Sequence, residues 1–175
     1  MRRSILVVSL ALASLSFVSL GAAAQGGDLA DHPIVGAWMA STPFGPGLSS
    51  FSGDGTVVIA FQATQGGPQG VAFVSPAVGT WQPTSERGVH FTVVQIQSDA
   101  SGNLIGTVTI DGNPVVSQDG TTQTDDSPDT SVTIRDAAGN VLDVITGGPP
   151  ITGTRMAVGD AGFPETPAAS CSPTT

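Results

Sequence analysis

The chain has 175 residues, a formal net charge of −9 and one cysteine, Cys171. Five Arg or Lys face fourteen Asp or Glu, so polyanions are repelled; nucleic acid and anionic membrane surfaces are excluded as partners. A single cysteine excludes an intrachain disulfide and any zinc site built on cysteine pairs.

In chain order, the first element is an export signal. Met1-Arg2-Arg3 is a short positive start, and Ile5 to Leu20 carries no charge. Ala22 and Ala24 then form an A-x-A cleavage site. Residues 1–24 therefore read as a cleavable secretory signal, with the mature chain starting at Gln25. The apolar run has 16 residues, short of the roughly 20 that a spanning helix needs. No later segment is long and apolar enough to span, so the expectation is a secreted, extracellular protein that crosses no membrane after cleavage. Removal of the signal leaves Arg87, Arg135 and Arg155 as the only formal cations against all fourteen acidic residues. That acidity reads as solubility outside the cell.

Residues 25–31 read as a flexible lead-in. Residues 32–158 read as one β domain. Residues 159–175, rich in Pro, Ala, Ser and Thr, read as a disordered tail. Within the domain, Gly and Pro interrupt runs rich in Val, Ile, Thr and Phe about every 8–12 residues. No window of helical length carries a 3.6-residue apolar stripe free of Gly or Pro. The candidate strands are Ile34–Ala40, Leu48–Ser52, Thr56–Gln62, Val71–Val74, Val78–Gln82, Val89–Gln97, Leu104–Asp111, Val115–Gln118, Ser131–Arg135, Val141–Ile145 and Ile151–Val158. Some merge across bends, leaving about eight to ten, which short antiparallel connections order into a barrel or a sandwich. Most strands have one apolar and one wetter face. Thr56–Gln62 is apolar on both, Val57, Ile59 and Phe61 against Val58 and Ala60, and asks for cover from a terminus or another chain.

The turns carry their own chemistry. Ser52-Gly53-Asp54-Gly55 joins two apolar runs, and its glycines can supply positive φ. Asp99-Ala100-Ser101-Gly102-Asn103 and Asp136-Ala137-Ala138-Gly139-Asn140 share the pattern D-x-x-G-N. Each fits a type I turn closed by a left-handed glycine.

One ordered set of motifs stands out. Asp31-His32-Pro33-Ile34-Val35-Gly36-Ala37-Trp38 places a G-x-W at the start of the first strand. Phe51-Ser52-Gly53-Asp54-Gly55-Thr56 follows, then Gly79-Thr80-Trp81, and Gly153-Thr154-Arg155 closes the last strand. The set resembles small secreted bacterial lipocalin-like (calycin-like) β-barrel proteins of unassigned role. The resemblance implies an all-β, antiparallel, up-and-down barrel of about 8–10 strands. It also implies that Trp38 lies across the closed end beneath Arg155, with Gly36 allowing the close approach. Cation–π attraction and strand parity both suit that pairing.

In such a barrel, a small apolar ligand would sit in the interior, with Trp81, Phe61 and His90 as the candidate contacts. A barrel enzyme of isomerase or cyclase type would instead use a polar group in the pocket, such as His90 or Glu86. With two Trp, six Phe and no Tyr beyond residue 24, the composition also fits a solid core and an extracellular interaction surface. Asp125, Asp126 and Asp129 cluster without an EF-hand pattern and read as a solvated loop. No motif indicates a metal, a cofactor or a catalytic residue, and the oligomeric state is left open.

Overall fold

In the computed structural model, the described residues are 29–42, 45–67, 70–160 and Gly162. Residues 1–24, read above as an export signal, most of residues 25–31 and of 159–175, and Cys171 lie outside them. After a 3-10 turn at Leu29–Asp31, the described chain is all β. Its strands are β1 Gly36–Thr42, β2 Gly45–Phe51, β3 Thr56–Ala60, β4 Thr64–Gly67, β5 Gly70–Val74, β6 Ala77–Pro83 and β7 Val89–Ser98. They continue with β8 Leu104–Gly112, β9 Val115–Val116, β10 Thr122–Asp125, β11 Ser131–Asp136, β12 Val141–Thr146 and β13 Ile151–Arg155. No helix among the described residues is long and apolar enough to cross a membrane.

All thirteen strands belong to one curled antiparallel sheet, a half-barrel in the order β12-β11-β8-β7-β6-β3-β2-β1-β13-β10-β9, with the β4–β5 hairpin attached to β7. First and last strands meet, Trp38 opposite Arg155 and Ala40 opposite Gly153. At this end the pairing returns on itself. Gly88 bridges Val115, Val89 N donates to Pro114 O at 3.1 Å, and Val116 N donates to Arg87 O at 2.9 Å. At the other end β11 pairs with β12, which is the outermost strand of the described sheet.

Thirteen segments exceed the eight to ten expected, for a local reason. β9 continues the β7–β8 register beyond a bend at Asn113-Pro114. β10 and β11 continue one another across residues 126–130, pairing with β13 and β12 respectively. β12 and β13 are likewise separated by Gly147 to Pro150. Three long strands are thus each counted twice. The polar β4 (TQGG) and β10 (TQTD) have no apolar alternation and were not expected as strands; their pairing partners make them so.

Alternation builds the core. On β7, Val89, Phe91, Val93 and Gln95 are buried, while Val94 and Ile96 are exposed. The inward set joins Ile34, Trp38, Phe51, Val57, Ala77, Trp81 and Val116. Ladder pairing aligns Val58, Val78 and Val94 on three adjacent strands of the outer face. They are 40%, 57% and 44% exposed, so the described residues leave this row open to solvent. The 3-10 turn also packs inward. Leu29 lies against the core, and a Cβ on Gly53 would stand 2.7 Å from Ala30 Cα.

The two D-x-x-G-N turns are near copies. Gly102 and Gly139 have φ of 81° and 87°. Asp99 Oδ1 accepts from Ser101 N and Asn103 N, and Asn103 Nδ2 donates to Asp99 Oδ2 at 2.9 Å. Asp136 repeats this with Ala138 and Asn140. In both turns the asparagine side chain is the largest influence holding the aspartate below its usual pKa.

Candidate functional site

The site begins with a plug made by Trp38 and Arg155. Trp38 is fully buried, and its Nε1 donates to Ile34 O at 2.8 Å. The Arg155 guanidinium carbon stands 4.2 Å from the Trp38 ring centroid. Its Nε donates to Gly120 O at 2.7 Å and one terminal nitrogen donates to Val35 O at 2.9 Å. The other donates to Pro33 O. One cation therefore covers the indole and bonds three carbonyls on two backbone segments, as a planar fork of donors can. Gly36 has φ of 136°, and a Cβ there would meet the Arg155 guanidinium at 2.6 Å. Gly36, Trp38 and Arg155 are thus brought into one assembly.

Trp81 is placed beside this plug rather than in an open space. Its Nε1 donates to Ser52 O at 2.9 Å, and its backbone N donates to Gly55 O at 2.8 Å. Phe51 meets it edge-on at 6.2 Å, and His32 lies 5.5 Å away, ring to ring. His32 Nδ1 accepts from Ile34 N and its Nε2 approaches Ser85 O at 3.3 Å. A neutral ring protonated on Nε2 satisfies both contacts.

Strand parity places the cavity directly beyond the plug. Two residues along the face of Trp38 comes Ala40, and then Thr42. Two residues back along the face of Arg155 comes Gly153, and then Ile151. All four line a mostly apolar cavity of about 120 Å³. Phe51, Ile59, Phe61, Phe91, Ile110 and Val132 supply much of the rest of the wall. Half-buried Thr42, Phe61 and Ile151 stand on the side away from the plug. Phe91 reaches its place because Gly112 lies opposite; a Cβ there would be 2.3 Å from the ring.

Of the three sequence candidates, Phe61 lines the cavity, and Trp81 and His90 do not. Trp81 is 4% exposed in the packing described above. His90 points outward, its side chain 40% exposed, with Nε2 3.6 Å from Asp111 Oδ1, beyond hydrogen-bond range. Asp111 instead accepts from Thr92 Oγ1. Glu86 is exposed in the loop before β7 and also stands away from the cavity wall.

The cavity's polar end comes from β10, which sequence reasoning passed over as loop. Gln123 and Asp125 both line it. The Asp125 carboxylate accepts from Asn113 N at 2.9 Å, Thr130 Oγ1 at 2.6 Å and Ser127 N at 3.3 Å. Asp125 is therefore a structural acceptor at the β10–β11 bend. The available signal was the spacing Gln123-x-Asp125, which puts both side chains on one face once the segment is a strand. Comparison with known proteins finds no matching family model, curated protein or solved structure.

Proposed function

We propose that the protein is exported and, after loss of residues 1–24, works as a lipocalin-like binding module that holds a small apolar molecule inside its curled sheet. The observation that carries this reading is the cavity. Its wall is mostly apolar, it measures about 120 Å³, and it stands directly above a rigid plug formed by Trp38 and Arg155. Apolar walls with a few placed polar groups are the usual composition of a small-molecule site. Proteins pack their interiors closely, so a space of this size is not the default outcome of folding. The opening sequence Met1-Arg2-Arg3 and the A-x-A at Ala22 to Ala24 support export.

Native mass spectrometry of protein purified from its own host tests the reading, with the denatured mass as control. The expected result is a reproducible extra mass that denaturation removes, together with a polypeptide starting at Gln25. A bare polypeptide that also fails to bind environment-sensitive apolar dyes would refute it.

A further inference from the structure

Gln123 sits in β10 opposite Val116 on one side and Gly153 on the other. It is 8% exposed, it lines the cavity, and its Oε1 has no hydrogen-bond partner. Leaving a buried carbonyl of this kind unpaired is costly. The placement is built into the fold. A Cβ on Gly153 would lie 3.0 Å from Gln123 Nε2 and 3.2 Å from its Cγ, so the glycine leaves room for the glutamine to cross β13. Asp125 follows two residues later on the same face, about 6.7 Å along the strand. Among the described residues the wall contains no Lys, Arg or His.

We infer that the cavity takes a neutral, single-ring ligand carrying a hydroxyl, which bonds the Gln123 amide, and that it rejects carboxylates. The inference rests on the reading of the cavity as a ligand site and adds the chemistry of the ligand. Size limits the ligand to one ring, because the space of about 120 Å³ is no larger than the roughly 150 Å³ apolar cavity that holds benzene. Polarity sets the functional group. A hydroxyl both donates and accepts, so it satisfies the amide in either orientation. An anion would meet the Asp125 carboxylate with no cation in the wall to offset the repulsion.

Calorimetric titration of the purified protein with phenol, toluene and benzoate at pH 7 tests this. Phenol binds five- to tenfold more tightly than toluene, the value of one net hydrogen bond of about 1 kcal/mol, and benzoate does not bind. In Gln123→Leu the preference for phenol over toluene disappears while toluene still binds. The ligand-free variant unfolds at a higher urea concentration than wild type, because an unpaired buried acceptor has gone. Gln123→Met serves the same purpose if the leucine variant does not fold. Equal binding of phenol and toluene by wild type would overturn the hydroxyl inference and leave the apolar-site reading intact. Absence of binding by all three probes would overturn both. A marked loss of stability in both variants would assign Gln123 a structural role and overturn the inference too.

Discussion

The Arg155 assembly gives the sharpest mechanical test of the fold. Arg155→Met keeps an apolar stem over Trp38 but removes the donors to Pro33, Val35 and Gly120. Hydrogen bonds from a charged group contribute about 1.5–3 kcal/mol each when buried. Arg155 is only half-buried and water can replace some of these bonds, so about 1 kcal/mol apiece is the appropriate scale. Loss of the cation above the indole adds about 0.5–1 kcal/mol. The variant should therefore be less stable by about 3–4 kcal/mol, read as a fall in the urea midpoint at unchanged slope. Gly36→Ala supplies the second arm. It pushes a Cβ into the guanidinium and forces alanine to a φ of 136°, a backbone strain of about 1–3 kcal/mol by itself. Made on the Arg155→Met background, Gly36→Ala should lose the clash and keep only the backbone strain. The two substitutions should therefore be less than additive by at least about 1 kcal/mol. Strict additivity, or an Arg155→Met variant within 1 kcal/mol of wild type, would refute the plug as a source of stability.

Two further outcomes follow from the geometry. Gly112→Ala should displace the Phe91 ring, lowering stability by about 1–3 kcal/mol, and, on the proposed ligand-site reading, weaken binding, because that ring is part of the cavity wall; urea titration and calorimetry read the two effects separately. The Asp119 carboxyl is held down to about 2 by hydrogen bonds from Ser117 and Thr121. Asp54, Asp99 and Asp136 are also lowered, so the stability these turns contribute is present above about pH 4 and is lost as pH falls through the folded-state values. Carboxyl-detected NMR should find the Asp99 midpoint rising in Asn103→Ala while Asp136, in its separate turn, does not move.

The all-β character and several turns were legible in the residues themselves. The D-x-x-G-N turns depend on contacts within five residues, so a local pattern contains the whole of their chemistry. The two faces of β8 were legible for the same reason, since a strand's period of two shows directly in its sequence; β7 departs from it past Val93, where Gln95 is buried and Val94 and Ile96 are exposed. The ordered motifs also named Gly36, Trp38 and Arg155, although only chain closure brings residues 38 and 155 into register. Long-range pairing decided the rest. Thr122–Asp125 has no apolar alternation and is a strand because β9 and β13 flank it. That pairing turns Gln123 and Asp125 from loop residues into the polar end of a cavity. His90 and Trp81 show the opposite case: both have side chains suited to a ligand site, but parity sends His90 outward, and the β2–β3 hairpin occupies the Trp81 indole N–H. Sequence by itself determined the turns and the alternation of a strand such as β8, which are governed by neighbours a few residues apart. Tertiary structure alone decided which inward faces converge, because the curl of the sheet depends on where three long strands bend.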